Sequence, residues 1–594
     1  MTLQYQAPLR DMRFVIDEWI DAPSSWRDVP EWAELDTQTA QQVLEEAARF
    51  VEERIAPLNA SGDLEGCSFA TGEVTMPAGF RESYSDYVEA GWPTLALDTA
   101  NGGQGLPQLL EAALQEMLAG ANHAWLMSPG LTHGATTCLQ AHGDEFLKRE
   151  FLPKVASGEW LATMCLTEPQ AGSDLALLRT RAVPDPAGYG FRIDGSKIFI
   201  TGGAHDLTDN IVHLVLARLP DAPAGTKGLS LFVVPAWLNE GPNGRERNGV
   251  FCEGIEKKMG LKASPTCAMR FEHALGWLVG QPHRGLASMF VMMNAARLQV
   301  AMQGVGHAHS AWQFANAYAH ERVQMRAISV PAGYDGTSRD SVPIAFHPAM
   351  RRNLLELRAI VEGERVIGYW IAHWLDMAAR HPEADARRDA SQLASLLTPV
   401  AKAFFTANGF LAASNALQVF GGYGYIHEYG IEQIVRDSRV AMLYEGTNEI
   451  QAIDLLLRKV LADGHSALHA LLEHVRAEAA RCASAGEAQR EIGLRLATMA
   501  DDVDAATKIV ARAQEKDAEA PYRVADDYLA LLGWLLLAFA WARTLRIADA
   551  ASKEDMFYKE KCTTAHFFFE YPLAAFDHRR QLVEGGCVSA LPHL

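Results

Sequence analysis

A carboxylate stands directly before a predicted helix in the segment Tyr444-Glu-Gly-Thr-Asn-Glu-Ile-Gln451. Thr447 is the expected N-cap of that helix, because the apolar positions that follow share one helical face: Ile450, Ile453, Leu457 and Val460. Glu445 then lies in the loop just before the cap, where its carboxylate can project into a cavity beside backbone N–H groups. The alternative is an ordinary acidic residue of a surface loop.

Three other segments are informative only in combination with this one: Cys165–Asp174, Lys197–Thr201 and Gln418–Tyr425. The standard nucleotide motifs are absent, since no GxGxxG follows a predicted strand and no GxxxxGK precedes a serine or threonine. The glycine-rich loop at residues 101–106 precedes a helix but follows no strand, so a helix-entry turn is favoured there over a phosphate site.

The charged and metal-ligating residues argue against several classes of site. Acidic residues outnumber basic ones by 73 to 53, and the formal charge of −20 opposes binding to nucleic acid. The eight cysteines form no CxxC pair and no His/Cys cluster, so neither a metal site nor a disulfide framework is expected. A reducing cytoplasm fits this cysteine usage best.

The pattern of apolar residues indicates a mainly α protein with an all-β middle domain. Ala- and Leu-rich segments predict helices from Thr37 to about residue 160, and β-branched runs replace them from about Thr163 to Phe271. Within the β region, Asp194-Gly195 between two alternating runs predicts a hairpin turn.

Long helices follow the β region and are expected to form a bundle: Leu286–Gln324, Pro348–Arg380 and Ser391–Gln418, with a loop at Ala332–Pro343. A last helical block begins after about Gly464, and its apolar residues recur on one face: Ile492, Leu496, Met499, Val503 and Val510. We predict four domains, at residues 1–160, 161–284, 285–465 and 466–594. The apolar run Tyr528–Ala542 is shorter than the ~20 residues of a membrane span, so no transmembrane segment is expected.

In their order, spacing and helix–β–helix setting, the four segments resemble the acyl-CoA dehydrogenase family across about residues 40–460. The resemblance implies that family's fold, with a helical domain, a β-barrel domain and a four-helix bundle, and FAD as the cofactor. It also implies the reaction. A glutamate removes the α-proton of an acyl-CoA thioester while a hydride leaves the β-carbon for flavin N5, which gives a trans-2-enoyl-CoA.

Glu445 matches the catalytic glutamate of the family, and burial should raise the pKa of this carboxyl group towards neutrality so that it can act as a base. Some members instead place the base directly before an arginine on the first long helix after the β domain. Here that pair is Ala296-Arg297, and alanine cannot take a proton. The resemblance therefore implies Glu445 as the base and Arg297 as an auxiliary cation, with a surface salt bridge as the alternative role of Arg297.

The resemblance assigns six residues of three segments to contacts with FAD: Thr167, Ser173, Phe199, Thr201, Thr447 and Glu449. Thr167 and Ser173 are implied to lie beside the isoalloxazine ring and the phosphates, and Thr201 at the N5 edge. Phe199 stands where many members have tryptophan, which still provides an aromatic wall. Each of these residues could alternatively be an ordinary polar or apolar loop residue.

Arg322 matches an arginine that pairs with the pyrophosphate of a cofactor held mainly by a neighbouring subunit. Met325-Arg326 replaces the Phe-Gly that usually follows this motif, so the match is partial. The alternative is a solvated arginine on a helix surface. Three further residues match the segment that receives the adenosine half: Gln418, Gly421 and Gly422. Since both elements come from across a subunit interface in the family, a homodimer is implied.

Residues 466–594 resemble the extension of long bacterial members of the family, including those acting on methylmercaptopropionyl-CoA and on medium or long fatty acyl-CoA. In some of these enzymes the added helices stand in for a second pair of subunits. The expected function is an acyl-CoA dehydrogenase of fatty acid metabolism that passes electrons to an electron-transfer flavoprotein.

Two other functions remain open from the sequence. An acyl-CoA oxidase would pass its electrons to O2, although Leu591-Pro-His-Leu594 is not the Ser-Lys-Leu peroxisomal signal. A non-enzymatic alkylation-response flavoprotein would bind DNA, which the negative charge opposes.

Overall fold

The computed structural model describes residues 4–241, 244–331, 334, 341–551, 554–588 and 592, without the side chains of residues 239–241, 244, 294 and 488. Most of the predicted loop Ala332–Pro343 lies outside the described residues. The chain folds into two compact units. The β unit contains residues 50–107 and 121–299, and the helical unit contains residues 1–49, 108–120 and 300–594. The four predicted domains stay a prediction.

The helices occur in three stretches of the described chain. Those before the β region are α1 (Leu9–Arg13), α2 (Ala22–Trp26), α3 (Thr37–Phe50), α4 (Leu58–Glu65), α5 (Phe80–Glu89), α6 (Gln108–His142), α7 (Glu145–Glu150) and α8 (Leu152–Ala156). Those directly after it are α9 (Gly285–Glu321), α10 (Pro348–Arg380), α11 (Ala384–Phe420), α12 (Ile431–Ser438) and α13 (Asn448–Ile453). Those of the last block are α14 (Ser466–Ala485), α15 (Glu487–Gln514), α16 (Ala520–Ala550), α17 (Met556–Glu570) and α18 (Ala574–Gly586).

The first quarter of the chain is not wholly helical, because β1 (Ser68–Ala70) and β2 (Glu73–Thr75) form a short antiparallel hairpin there. The other strands follow α8 in chain order: β3 (Leu161–Cys165), β4 (Arg181–Pro184), β5 (Phe191–Thr201), β6 (Ile211–Arg218), β7 (Leu229–Pro235), β8 (Trp237–Gly241), β9 (Gly244–Arg247), β10 (Val250–Ile255) and β11 (Thr266–Val279).

Five of these strands close into a ring in the order β11, β5, β4, β6 and β7, since β7 pairs with both β6 and β11. β3 joins β6 in parallel, and β10 joins β11 in the antiparallel sense. The interior is apolar and includes Ile193, Val215, Phe232, Cys267 and Phe271. A closed sheet removes exposed strand edges, and the predicted β-barrel in a mainly helical chain is confirmed.

The predicted hairpin at Asp194-Gly195 is wrong, because β5 continues without a turn through both residues. They lie opposite a β-bulge of β11 at residues 271–274. The Asp194 carboxylate accepts a hydrogen bond of 2.8 Å from the backbone N–H of His273 within that bulge. A Cβ atom at Gly195 would lie 2.5 Å from Thr180 Oγ1. The Asp-Gly pair therefore accommodates a bulge and a close neighbouring strand rather than a turn.

Helix α16 lies at the centre of the carboxyl-terminal part of the helical unit, where it packs against α10, α11, α13, α14, α15, α17 and α18. Trp541 Nε1 of α16 donates a hydrogen bond of 2.8 Å to the Ala359 carbonyl of α10. All five residues of the predicted apolar face of α15 are buried, which confirms that prediction.

Two helices of the described chain are long and apolar enough to cross a membrane by length and composition alone. They are Ala384–Tyr425 and Ala520–Ala550, with mean hydropathies of 1.2 and 1.5 in their most apolar windows. Within the protein, 78% and 83% of the residues in these windows are buried. Such burial is typical of core helices, so the composition is weak evidence for a membrane span.

Candidate active site

The predicted site residues fall on both units. Five belong to the β unit: Thr167, Ser173, Phe199, Thr201 and Arg297. Seven belong to the helical unit: Arg322, Gln418, Gly421, Gly422, Glu445, Thr447 and Glu449.

In the β unit, two segments that are distant in sequence meet at Thr167. This residue follows β3, and its carbonyl accepts a hydrogen bond of 2.9 Å from the Ile198 N–H of β5. Thr167 and Thr201 are half-buried, and Ser173 is exposed farther along the same loop. The β unit thus brings Thr167 beside the strand that carries Phe199 and Thr201.

Phe199 has a strained backbone and an exposed ring. Its φ is +60°, and 60% of the residue is exposed. Bulky residues rarely adopt positive φ, at a cost of about 1–3 kcal/mol. An aromatic ring presented to solvent at that cost is typical of a position that binds a ligand.

Glu168 and Lys197 form a buried ion pair next to Thr167. Lys197 Nζ lies 2.9 Å from Glu168 Oε1. The Lys197 side chain is 0% exposed and the Glu168 side chain is 4% exposed. Lys197 Nζ also donates to the Leu166 carbonyl at 2.9 Å. Glu168 accepts hydrogen bonds from the Thr180 hydroxyl at 2.6 Å and from the Thr180 and Arg179 backbone amides at 3.0 and 2.8 Å.

These contacts set the ionisation of Glu168. Burial alone would raise its pKa, but the Lys197 charge, the Thr180 hydroxyl and the Arg179 amide outweigh burial and lower the pKa to about 2. For Lys197, burial lowers the pKa, and the Glu168 charge offsets only part of that effect. The pair therefore fixes the residue before Thr167, which is Leu166, and the residue after it, which is Glu168.

Arg297 lies on α9 and is 8% exposed. Its neighbour Ala296 is 6% exposed. A guanidinium group this deeply buried opposes the alternative role of a surface salt bridge.

In the helical unit, four predicted residues line one cleft of about 600 Å³: Arg322, Gln418, Gly421 and Gly422. The cleft lies between the end of α9, the start of α10 and the end of α11. The Arg322 guanidinium lies 5.4 Å from the centre of the Tyr423 ring. At the cleft floor, Tyr318 and Phe420 stack with ring centres 4.3 Å apart.

These residues fit the adenosine diphosphate half of FAD. An arginine can pair with diphosphate oxygens in a bidentate manner, and the exposed Gln418 amide can both donate and accept hydrogen bonds. A Cβ atom on Gly421 or Gly422 would meet nothing within 4 Å, so the backbone there borders open space. Gly421 has φ +59° and ψ −139°, a conformation that is essentially restricted to glycine. The chain thus keeps side chains away from the open space at this end of the cleft.

Glu445 is half-buried in a turn of left-handed backbone, with φ +54° at Glu445 and +83° at Gly446. Side chains bind both carbonyls of this turn. Gln451 Nε2 donates to the Glu445 carbonyl at 2.9 Å, and Lys402 Nζ donates to the Gly446 carbonyl at 2.7 Å. The φ of +83° favours glycine at residue 446, and a Cβ atom there would also lie 2.7 Å from Gln451 Nε2.

The residue before the glutamate is anchored as well. The Tyr444 hydroxyl donates a hydrogen bond of 2.5 Å to Gln303 Oε1 on α9. Burial raises the pKa of Tyr444, and the nearby Glu445 charge raises it further. Tyr444 therefore stays a neutral hydrogen-bond donor at one end of the turn.

Thr447 is the N-cap of α13, as predicted, and its hydroxyl accepts from the Ile450 N–H at 3.4 Å. Glu449 is exposed in the first turn of this helix. Hydrogen bonds from its own amide and from Thr447 hold the pKa of Glu449 below its usual range. Glu445, Thr447 and Glu449 thus form one local group, separate from the residues that line the cleft.

Sequence reasoning missed the residues that hold these groups: Glu168, Lys197, Gln303, Lys402, Asn448 and Gln451. A signal existed for the two lysines. Lys402 interrupts the apolar stretch Pro399–Phe405, and Lys197 falls on the face of the alternating β5 run that carries Ile193. A lone cation at a core position needs buried partners, and those partners identify the neighbouring loops.

Among the described residues, no group of three or more His, Cys, Asp and Glu side chains could hold a metal ion. All eight cysteines are described, and all are free thiols.

Four family models match the chain in sequence order. They describe the acyl-CoA dehydrogenase N-terminal domain at residues 37–159, the middle domain at 163–274, the C-terminal domain at 335–461 and an acetyl-CoA dehydrogenase C-terminal-like domain at 468–592.

Two curated relatives align over nearly the whole chain. The 3-methylmercaptopropionyl-CoA dehydrogenase of Ruegeria pomeroyi is 40% identical over 97% of this chain and 98% of its own length. The broad-specificity linear acyl-CoA dehydrogenase FadE5 of Mycobacterium tuberculosis is 34% identical over 98% of this chain and 97% of its own length.

A solved structure extends the likeness to the fold. The acyl-CoA dehydrogenase of Bacillus anthracis complexed with FAD has a TM-score of 0.73 at 20% identity, covering 99% of this chain and 93% of that one. Fold, family models and relatives agree, and the chain belongs to the acyl-CoA dehydrogenase family as an FAD-dependent oxidoreductase that acts on acyl-CoA thioesters.

Proposed function

We propose that Glu445 is the base that removes the α-proton of a bound acyl-CoA, so that the product is a trans-2-enoyl-CoA. The observation that carries this proposal is the turn at residues 444–448. It holds a half-buried carboxylate in left-handed backbone, with the two carbonyls of residues 445 and 446 bound by Gln451 and Lys402. A fixed carboxylate at the start of a helix can be aimed at one substrate atom, which general-base catalysis requires.

In this reaction the substrate loses a proton to Glu445 and a hydride to the cofactor. The carboxylate of Glu445 takes the α-proton, and the electrons of that C–H bond form the new double bond as a hydride leaves the β-carbon. Bound FAD supplies the two-electron acceptor for that hydride. We propose that Arg297, a buried cation, assists as an auxiliary charge near the reacting groups.

We also propose which residues hold FAD. Thr167, Ser173, Phe199 and Thr201 of the β unit would contact the ring and phosphates, with Thr447 and Glu449 of the helical unit as additional contacts. In the cleft, Arg322 would pair with the pyrophosphate of a second subunit's FAD, and Gln418, Gly421 and Gly422 would receive its adenosine. This division makes a homodimer the smallest active species. Light scattering of the FAD-loaded protein tests it, and an active monomer would contradict it.

The test of the base is anaerobic titration of the yellow protein with acyl-CoA thioesters, followed by bleaching of the flavin absorbance. Glu445→Gln should keep FAD and bind thioester, but its rate of flavin bleaching should fall by about 10²–10⁴-fold. The matched control is Glu428→Gln, which changes an exposed glutamate and should bleach at the wild-type rate. Bleaching of Glu445→Gln at the wild-type rate would show that another group is the base.

The acyl group and the final electron acceptor belong to the same proposal. We propose a thioether-containing or linear acyl-CoA, supported by the names of the two curated relatives. A panel of 3-methylmercaptopropionyl-CoA and linear acyl-CoAs, compared by kcat/KM, tests this. For the acceptor we propose an electron-transfer flavoprotein. Stoichiometric oxygen uptake during turnover would identify an oxidase instead.

The cytoplasm is the compartment we propose, because the eight free thiols suit a reducing environment.

A further inference from the structure

Lys402 of α11 is completely buried, with an exposure of 0%. Its ammonium group donates hydrogen bonds to the Gly446 carbonyl at 2.7 Å and to Asn448 Oδ1 at 3.0 Å. Burying an ammonium group is strongly unfavourable unless polar atoms replace its water. Both of these acceptors belong to the segment that directly follows Glu445.

Asn448 also makes hydrogen bonds to the part of α11 that carries Lys402. Its Nδ2 donates to the Ala403 carbonyl at 3.0 Å and approaches Thr406 Oγ1 at 3.3 Å. The Thr406 hydroxyl in turn donates to the Lys402 carbonyl at 2.7 Å. The turn after Glu445 is therefore joined to one helical turn of α11 through side chains on both sides.

The backbone of the turn requires such support. Glu445 has φ +54°, a strained backbone conformation for a non-glycine residue that persists only where neighbours hold it. Because φ and ψ fix the direction of the Cα–Cβ bond, the backbone of residue 445 sets the direction in which its side chain leaves the main chain and the positions that its carboxylate can reach. Gln451 binds the carbonyl of residue 445 and Lys402 binds the next one, so the two side chains share this task.

We propose that Lys402 is a positioning residue for Glu445, acting through the Gly446 carbonyl and Asn448 and not through contact with substrate. The inference rests on the proposed role of Glu445 as the base. Without the ammonium group, the Gly446 carbonyl loses a buried donor, and the turn relaxes towards ordinary backbone angles. A displacement of the carboxylate by about 1 Å lowers the rate of proton transfer on the order of 100-fold.

The test isolates proton removal from electron transfer. Acetyl-CoA has α-hydrogens and no β-carbon, so it cannot be dehydrogenated, but a base can exchange its α-protons for deuterons in D2O. Mass spectrometry of the acetyl group measures the exchange rate per bound FAD. The variants are Lys402→Met, Asn448→Ala and Glu445→Gln.

The matched control is Lys561→Met, because Lys561 is also buried, at 3% exposure, but pairs with Asp11 and Glu362. It should lower thermal stability while leaving exchange per bound FAD unchanged. Lys402→Met should bind FAD, keep its dissociation constant for acetyl-CoA within about threefold, and exchange about 100-fold more slowly. Asn448→Ala should change in the same direction, which keeps the test decisive if Lys402→Met fails to fold.

The two proposals fail in different ways. If Glu445→Gln exchanges at the wild-type rate, Glu445 is not the base, and the proposed function falls. If Glu445→Gln stops exchange while the folded, FAD-loaded Lys402→Met or Asn448→Ala variant exchanges at the wild-type rate, Lys402 is structural only. A loss of stability without a loss of exchange per bound FAD would likewise contradict a positioning role.

Discussion

Breaking the Glu168–Lys197 pair should destabilise the β unit more than removing both partners together. Glu168→Gln keeps the shape of the side chain and removes its charge. The Lys197 ammonium group is then left buried with the Leu166 carbonyl and a neutral amide. Removing one member of a buried ion pair costs about 3–5 kcal/mol, and this variant should lie at the upper end.

The partner variant should cost less, because the contacts of the two groups differ. Lys197→Met leaves the Glu168 carboxylate with hydrogen bonds from the Thr180 hydroxyl, the Thr180 and Arg179 amides and Gln170 Nε2. We expect a loss of about 3 kcal/mol. The double variant buries no charge, so it should lie within about 2 kcal/mol of the wild type. The coupling energy, which is the summed losses of the two single variants less the loss of the double variant, is then about 6 kcal/mol.

Hydrogen exchange of the β5 amides measures these differences locally, without requiring one cooperative transition for a chain with two units. A loss of about 3 kcal/mol corresponds to exchange about 150-fold faster. The double variant should exchange more slowly than Glu168→Gln alone. If the single variants changed exchange by less than about threefold, or if their effects simply added in the double variant, the pair would not stabilise this strand.

Because the pKa of Glu168 is lowered from 4.5 to about 2, the stability it contributes is complete above about pH 4.5 and is lost as the pH falls towards 2. Acid-induced FAD release should lose this component of its pH dependence in Glu168→Gln, and an unchanged acid profile would contradict the assignment. At the cleft, Gly421→Ala should lower the free energy of unfolding by about 1–3 kcal/mol, because alanine would be strained in this backbone conformation. Gly422→Ala should leave stability unchanged and weaken FAD binding, measured by flavin fluorescence, and wild-type affinity there would show that the adenosine lies elsewhere.

Helix positions were largely predictable because apolar periodicity reports burial directly. The bounds of α10 agree with the predicted segment Pro348–Arg380. In contrast, α11 begins seven residues before the predicted Ser391. Residues 384–389 are mostly polar and exposed or half-buried, so they carry little periodic signal. These first turns extend the helix beyond its buried stretch, so a pattern of apolar residues does not reveal them.

The Asp194-Gly195 error has a different cause. The same dipeptide suits a tight turn and a strand that faces a bulge, because both require an unusual backbone or close approach at the glycine. The choice depends on β11, whose His273 lies 79 residues after Asp194. Local sequence contains no information on that partner.

For the candidate site, the resemblance supplied Glu445 and the cleft residues, but not the side chains that hold the turn. Lys402 and Asn448 are 46 residues apart and meet because α11 and the turn pack together. Such a pair is visible only after the fold is known. The lone lysine in an apolar helix could have indicated that a partner exists, without identifying it.

The close packing around α16 also limits how the carboxyl-terminal block could have been gained or lost. Gly363 of α10 faces Leu537 and Trp541, and Gly533 faces Phe404 of α11 at distances that leave no room for a Cβ atom. A gene fusion that appended these helices would have had to adjust the bundle surface at the same time. Deleting them would expose the apolar surfaces of α10 and α11 that α16 covers, so the bundle and the carboxyl-terminal helices share one buried apolar interface.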